Sequence, residues 1–202
     1  AGQVDANLRS DLFFPEKRPF FLEGSDIFQL AGMSFFMSAV HTRRIVDPLL
    51  GFKLSGKLGD RNTMAAIFSL DESADNPLHE GSRAANAAFA IFRYQRALSG
   101  DGFLGAFYTG REQGSDFNRL VGLDGQLRLS RSEMLSFHGF ASFTDTPAMP
   151  DQKGLALNAY YSKSTRDLDL TGCFYSISRG FVSESGFVAG LSCLVVSVGL
   201  LF

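Results

Sequence analysis

A glycine–lysine segment near the first quarter of the sequence approaches the spacing of a phosphate-binding loop. Residues 51–57 read Gly-Phe-Lys-Leu-Ser-Gly-Lys, which matches G-x-x-x-x-G-K. The next residue is Leu58, where such a loop carries the Ser or Thr that binds magnesium. The segment also alternates apolar and polar residues, whereas a phosphate-binding loop must bend between a strand and a helix. We therefore interpret residues 51–57 as a strand.

The histidines and carboxylates give no recognisable catalytic pattern. His41 and His138 stand alone, and His79-Glu80 begins an HExxH zinc motif without completing it. No G-x-S-x-G motif occurs, and the chain lacks the strand–helix alternation of the hydrolases that carry one. Sequence alone identifies no carboxylate pair at a separation suited to glycosidase chemistry. The motifs favour a protein that is not an enzyme, and they predict no cofactor and no metal ion.

Charge and cysteine content exclude two further classes of site. The formal net charge is −2 and the basic residues are scattered, so we expect no nucleic-acid partner. Cys173 and Cys193 do not have the spacing of metal ligands. A disulfide between them depends on a geometry that the sequence does not fix.

Alternation with a period of two residues is the strongest structural signal in the chain. In residues 121–129, Val and Leu side chains fall on one face of a strand and Asp124, Gln126 and Arg128 fall on the other. The segment is therefore predicted to be a strand with one apolar and one polar face. Similar alternation recurs in residues 52–58, 63–70, 135–144, 155–162 and 168–175, and less cleanly in 86–98 and 102–112.

The connections between these segments alternate between short and long. Tight turns are predicted at residues 59–62, 99–102, 130–132 and 165–167, and longer connections at 71–85, 112–117 and 145–152. Transmembrane barrels show this arrangement, whereas the connections of a soluble β-sandwich need not alternate in length. The segments are also close to the roughly 9–11 residues that a tilted membrane strand needs, compared with about 5–6 in a typical globular strand.

The predicted fold is all-β: an antiparallel, up-and-down, transmembrane-type β-barrel or incomplete barrel of about ten strands. Residues 1–202 form one barrel-like domain. Residues 1–9 are expected to be a first strand or its remnant, 10–48 an irregular, plug-like insert, and 49–202 the meander strands. The uncharged segment 186–202 is short for a membrane helix and is predicted to be the final strand.

The polar faces then supply the candidate site. If the apolar faces contact lipid, the charged residues opposite them point toward the barrel interior. There they either pair with one another or line a water-filled path. The predicted lumen-lining residues are Lys53, Lys57, Arg93, Arg111, Asp124, Arg128, His138 and Asp169.

The segment at residues 12–24 differs from the strands. It reads Leu-Phe-Phe-Pro-Glu-Lys-Arg-Pro-Phe-Phe-Leu-Glu-Gly, and its two prolines disfavour a regular helix or a central strand. Irregular backbone at membrane depth must be buried in protein or line a cavity. We therefore expect this segment to fold into or against the barrel, with Lys17 and Arg18 pairing with interior carboxylates.

This segment resembles the signature of a bacterial family called domain of unknown function 5916. Residues 2–6 look like the family's lead-in, and residues 42–45 are similar to its downstream Arg-Arg-Ile element. Residues 51–59 and 180–188 fit more loosely, so the resemblance covers most of residues 1–188. The motif residues are Phe13, Phe14, Pro15, Glu16, Lys17, Arg18, Pro19, Phe20, Phe21, Glu23, Gly24, Arg43 and Arg44.

The resemblance implies a location and a set of partners. Family members usually carry a secretion signal, a module like a family-9 carbohydrate-binding domain, and then a long region that looks like an outer-membrane barrel. It therefore implies a fragment of a longer chain in the outer membrane of a Gram-negative-type bacterium. The implied partners are outer-membrane lipid, the barrel assembly machinery and, through the missing N-terminal module, glycans.

The resemblance does not establish a molecular function. We expect an outer-membrane β-barrel protein, such as a channel or receptor component linked to glycan binding. Some family members carry a membrane-associated hydrolase label, but no catalytic residues can be transferred. The alternatives are therefore a membrane-associated hydrolase, a structural surface-display barrel, or a soluble β-sandwich.

Overall fold

The computed structural model describes residues 16–31, 37–38, 40, 42, 45, 47–72, 86–184, 187–188 and 193–200. The strand expected at residues 1–9 and the motif residues Phe13, Phe14, Pro15, Arg43 and Arg44 lie outside these ranges. In the described ranges the chain is almost entirely antiparallel sheet, so the all-β prediction is confirmed. No helix in them is long and apolar enough to cross a membrane.

Two short helical turns precede the strands. They are α1 at Pro19–Leu22 and a 3-10 turn at Ser25–Phe28. Pro19 stands at the start of α1, where its missing N–H costs no helical hydrogen bond. The strands are β1 Met37–Ser38, β2 Pro48–Leu58, β3 Asn62–Asp71, β4 Ala87–Ala97, β5 Phe103–Gln113, β6 Asp116–Arg128, β7 Glu133–Thr146, β8 Met149–Ser164, β9 Leu168–Ile177, β10 Phe187–Val188 and β11 Cys193–Leu200.

Nine of these strands form one sheet in the order β11-β9-β8-β7-β6-β5-β4-β3-β2. Each pair of neighbours is antiparallel, so the up-and-down topology predicted from the sequence is confirmed. β1 and β10 pair separately in a two-stranded sheet. In the described part of the chain β2 and β11 are the two edges and do not pair with each other.

The prediction that short and long connections alternate is wrong at two places. β5 ends at Gln113 and β6 begins at Asp116, so only two residues connect them. Likewise, only Pro147 and Ala148 connect β7 to β8. The polar residues read as loop continue the strands instead, and Gly114 provides the positive φ of 64° that the first of these tight hairpins needs.

The two faces of the nine-stranded sheet have opposite environments. The face here called the inner face is buried, and its apolar centre includes Ile67, Phe89, Phe107, Leu120 and Phe140. Residues at the alternate positions form the outer face, which carries exposed Leu, Phe and Val side chains. Phe21, Phe28, Ile45 and Phe181, which lie outside the nine strands, pack onto the inner-face cluster.

Candidate functional site

The inner face is the candidate functional site because the buried charged side chains of the strands lie on it. Successive residues of a strand point to opposite faces, so the polar positions predicted from sequence share this face. Arg93, Arg111, Asp124 and His138 are all buried there. Lys53 is half-buried, and its neighbour across the β2–β3 ladder is the buried Ile67.

Arg93 and Asp124 form an ion pair at the centre of the inner face. The guanidinium donates through Nη1 to Oδ1 and through Nη2 to Oδ2, the second at 2.8 Å. Both side chains are completely buried. Arg93 also lies over the ring of Phe107, 5.2 Å from its centroid. Two-point contacts of this kind satisfy the planar guanidinium in a place that water does not reach.

Gly105 provides the space for this pair. It stands directly opposite Asp124 in the β5–β6 ladder, and Arg93 reaches across it from β4 to β6. A Cβ at Gly105 would overlap both Asp124 Oδ1 and Arg93 Nη1. The absence of a side chain on β5 therefore allows two residues on non-adjacent strands to meet.

Residues 16–31, here called the covering segment, lie against the inner face. Ile27 O accepts from Arg93 Nε at 3.2 Å, and the Ala31 N–H donates to Asp124 Oδ2 at 3.1 Å. Phe28 and Phe107 meet edge to face, with ring centroids 6.5 Å apart. The buried ion pair is thus completed by backbone groups of the covering segment.

Lys53 holds the other end of the covering segment. Its ammonium group donates to Phe20 O at 2.9 Å and also to Glu23 O. Both acceptors are backbone carbonyls at or just after α1, which would otherwise need water or a cap. Lys53, which was predicted to line a barrel interior, therefore binds the covering segment.

A second polar cluster fixes residues 181–184, here called the return segment. Arg111 pairs with Glu184 at 3.3 Å, and both side chains are almost fully buried. The side-chain amide of Asn118 donates to Val182 O at 3.1 Å and accepts from the Glu184 N–H at 3.0 Å. Asn118 therefore binds the return segment as a neighbouring strand would. Neither Asn118 nor Glu184 was identified from the sequence.

The expected partners of Arg18 and Lys17 are corrected by the structure. Arg18 pairs with Glu16 in the same segment, with Nη2–Oε2 at 2.8 Å, and not with a carboxylate of the strands. It also donates to Thr42 O at 2.8 Å and Ile45 O at 2.7 Å. Lys17 is exposed. The reason is local: the turn before α1 brings Glu16 within reach of the backbone N–H groups of both residues.

Glu16 is consequently held in its ionised form. The Arg18 guanidinium and the Thr42 hydroxyl, which donates at 2.6 Å, hold the pKa of this carboxyl well below its ordinary value. The Arg18 guanidinium also lies 4.4 Å from the centroid of the Phe21 ring. Together these contacts explain how charged residues sit among aromatic ones in the motif.

Beside the Arg93–Asp124 pair, a row of buried polar side chains continues across the sheet. His138 stands opposite Asp124 on one side and opposite Asn158 on the other. The Ala31 backbone lies near the His138 ring, but neither ring nitrogen makes a hydrogen bond of acceptable geometry in the described part of the chain. Ser136 Oγ and Asn158 Oδ1 are also buried without a hydrogen-bonding partner in the same ranges. Buried polar groups of this kind usually bind water or a ligand.

The remaining predicted lumen residues lie toward the ends of the strands. Lys57 and Arg128 are exposed; Arg128 Nε donates to Gly100 O at 3.2 Å. Asp169 is half-buried near the start of β9. Cys173 is a free thiol on β9. Among the described residues no group of three His, Cys, Asp or Glu side chains is placed to hold a metal ion.

The outer face has an apolar band between two charged ends. At one end Arg119 pairs with Glu112, with Nε–Oε1 at 2.6 Å. At the other end Lys163 pairs with Glu133 at 3.0 Å, and Tyr161 donates to the same carboxylate. Between them, the outward positions of β7 are occupied by Leu135, Phe137, Gly139, Ala141 and Phe143, none of which is polar.

Comparison of the chain with known protein families, curated proteins and solved structures finds no match in any of the three.

Proposed function

We propose that this protein is an outer-membrane protein whose sheet is embedded in lipid as part of a β-barrel and whose lumen is filled by its own chain. The observation that carries the proposal is the reversed polarity of the sheet. Leu123 is 64% exposed while the adjacent Asp124 is 1% exposed. In a water-soluble sandwich the apolar residue would be the buried one.

The extent of the exposed apolar surface indicates that the outer face contacts lipid and not water. Soluble monomers rarely expose a contiguous apolar patch larger than a few hundred Å². Here large apolar side chains are exposed on most strands from β2 to β9, including Leu54, Phe68, Leu104, Leu123 and Phe174. A bilayer removes the cost of exposing them to water.

The height of the apolar band on the outer face also supports a lipid environment. Residues 135–143 of β7 separate the charged ends of the outer face. This length agrees with the roughly 9–11 residues that a strand tilted by about 45° needs to cross the hydrocarbon core. The two ion pairs would then lie at the two membrane interfaces, where charge on a lipid-facing surface costs little.

The filled lumen favours a membrane anchor or scaffold over an open pore. Asp124 and Glu184 are held by buried arginines, and the covering and return segments occupy the inner face of the strands that carry them. Carboxylates held in this way give no support to the hydrolase alternative. A surface-display barrel that carries another module is consistent with this interior.

A channel or receptor component is the second candidate, and one observation favours it. Ser136 Oγ, the two ring nitrogens of His138 and Asn158 Oδ1 are buried without hydrogen-bonding partners in the described part of the chain, as expected for atoms that bind water or a polar solute. Transport along this row would require the covering segment to move. The link to glycans rests on the family resemblance alone.

Arginine substitutions at two depths test the membrane proposal. Leu123→Arg places a charge at the middle of the outer face of β6, and Leu129→Arg places one just past its end. In a bilayer the first should lower the free energy of unfolding by about 2–4 kcal/mol and the second by about 0–1 kcal/mol. Each variant is inserted into vesicles and unfolded with denaturant. The fraction that keeps the folded, heat-sensitive gel mobility gives the free energy of unfolding. Equal effects, or recovery of the wild type as a water-soluble protein without a mobility shift, would contradict the proposal.

A further inference from the structure

Six side chains that can form hydrogen bonds lie together on the inner face of three neighbouring strands. Here called the polar patch, they are Ser136 and His138 of β7, Asn158 and Tyr160 of β8, and Cys173 and Tyr175 of β9. They form two rows across the sheet, because each of the two β8 residues stands directly opposite one residue of β7 and one of β9. An imidazole, an amide, a hydroxyl, a thiol and two phenols therefore share one surface.

The hydrogen bonding of the polar patch is incomplete. Ser136, His138 and Asn158 are 0%, 2% and 6% exposed. Ser136 Oγ, both ring nitrogens of His138 and Asn158 Oδ1 have no hydrogen-bonding partner among the described residues. The amide nitrogen of Asn158 makes a long contact of 4.0 Å to Cys173 Sγ, and sulfur is a weak acceptor. Buried groups in this condition destabilise a fold, so the patch is suited to a ligand that supplies the missing partners.

The charges around the polar patch favour an uncharged ligand. The charged residue opposite His138 is Asp124, and its carboxylate already accepts from both Nη atoms of Arg93. The six residues of the patch include no carboxylate, ammonium or guanidinium group. A charged ligand would therefore lose its hydration without gaining a counter-charge, which is costly in a buried site. An uncharged ligand avoids that cost and needs only matching hydrogen bonds.

The size and chemistry of the polar patch suit one ring that carries several hydroxyl groups. From the spacing of strands and of residues along them, three strands by two rows cover about 10 Å by about 7 Å. The amide, the hydroxyls and a neutral imidazole each offer both donor and acceptor atoms, and a ligand hydroxyl also does both. The rings of Tyr160 and Tyr175 add apolar surface for the C–H groups of such a ligand.

We propose that the polar patch binds a small, uncharged cyclic polyol. The inference deepens the receptor candidate of the proposed function and rests on it, but it does not depend on contact between the outer face and lipid. The Ala31 N–H donates to Asp124, directly beside His138, so the covering segment lies at the border of the patch. The covering segment therefore limits access of the polyol to the patch.

Isothermal titration of the full chain, folded in detergent, tests the inference. The probes are myo-inositol, glucose and galactose, with glucuronate and protonated glucosamine as charged compounds of similar ring size. Asn158→Leu removes the amide of the patch with little change in side-chain size. Thr109→Val is the matched control, because Thr109 Oγ1 is also buried without a hydrogen-bonding partner in the described ranges but lies on β5, two strands from the patch.

We expect at least one neutral polyol to bind the wild type and Thr109→Val equally, and to bind Asn158→Leu roughly tenfold more weakly. The charged compounds should bind the wild type roughly tenfold more weakly than that polyol, or not at all. If Asn158→Leu does not fold, Ser136→Ala, which removes a single oxygen, takes its place.

Three results would overturn the inference. They are no binding of any neutral polyol, which would mean that the patch holds water only, equal binding of the charged compounds, and unchanged binding by a folded patch variant. The heat-dependent gel mobility of the same samples reports separately on the membrane proposal, so failure of one can be told from failure of the other.

Discussion

Arg93 on β4 and Asp124 on β6 form a fully buried two-point ion pair across the strand that separates them. The pair depends on Gly105 of β5, which leaves the space through which the guanidinium passes. Its remaining contacts go to the backbone at Ile27 and Ala31. One interaction therefore joins three adjacent strands to the covering segment, and the first two predictions below depend on it.

Gly105→Ala should destabilise the fold strongly although it adds one methyl group. The new Cβ would overlap the ion pair, and breaking a buried pair typically costs about 3–5 kcal/mol. Gly172→Ala on β9 is the control, since a Cβ there meets no atom within 4 Å. Urea unfolding of both variants in the same detergent measures the difference. Similar losses of stability in the two would show that Gly105 does not serve the pair.

Removing both charges should be less damaging than removing one. Arg93→Met leaves the Asp124 carboxylate buried and unpaired, whereas Arg93→Met combined with Asp124→Leu leaves no charge at this place. We expect the single variant to lose about 3–5 kcal/mol and the double variant to be more stable than the single one. A double-mutant cycle on the free energy of unfolding measures the interaction free energy between Arg93 and Asp124. A double variant that is less stable than either single variant would contradict this view of the pair.

Much of the sheet is predictable because alternation is a local property of the sequence. Residues 121–129 alternate without interruption, and β6 spans Asp116–Arg128. The hairpin ends are less predictable, because residues 112–117 look like a connection when considered alone, whereas β5 continues to Gln113 and β6 begins at Asp116. This end of β6 is held by a residue of β7: Asn118 Nδ2 donates to Thr144 Oγ1 at 2.8 Å. Such partners are distant in the sequence and invisible to its local pattern.

Lys53→Met should loosen the covering segment with little effect on the sheet. The substitution removes the donor to the carbonyls of Phe20 and Glu23, while the side chain keeps a similar length. We expect faster proteolysis within residues 16–31 and, if the lumen can conduct, more frequent channel openings in a planar bilayer than for the wild type. Lys57→Met, an exposed lysine four residues along β2, is the control. Wild-type rates of proteolysis in Lys53→Met would mean that Lys53 does not hold the segment.

Acid should release the same segment through Glu16. Its pKa is lowered in the folded protein, so the ionised carboxylate stabilises the covering segment at pH values above its ordinary pKa of 4.5. This contribution is lost progressively as the pH falls below that value, and not as it rises. Hydrogen exchange of residues 16–24 between pH 6 and about pH 3 follows the loss.

The matched variants for the acid experiment are Glu16→Gln and Glu23→Gln. Glu16→Gln should exchange faster at pH 6 and show a much weaker dependence on acid. Glu23 is exposed, so Glu23→Gln should behave as the wild type does. If Glu16→Gln retains the full acid dependence, another group is responsible.

The arrangement inside the sheet was predictable only in part. The charged residues of the polar faces could be assigned to one side because each strand has two faces. Which of them pair could not, since Arg93 meets Asp124 only by passing over Gly105, and a glycine in a strand has no distinctive sequence signal. The partner of Arg18 was hard to predict for a different reason. Glu16 is only two residues away, and a charged residue so near in the sequence can equally well face solvent without forming an ion pair.

The central claim is that the outer face contacts lipid, and two adjacent residues of β5 test it most directly. The chain contains no tryptophan, so Phe103→Trp and Leu104→Trp each introduce a single fluorophore, at nearly the same depth on the inner and outer faces. In vesicles containing brominated lipids, we predict that the emission of Leu104→Trp is quenched and that of Phe103→Trp is largely retained. Equal quenching of both, or quenching of Leu104→Trp by aqueous iodide and not by brominated lipid, would contradict the claim.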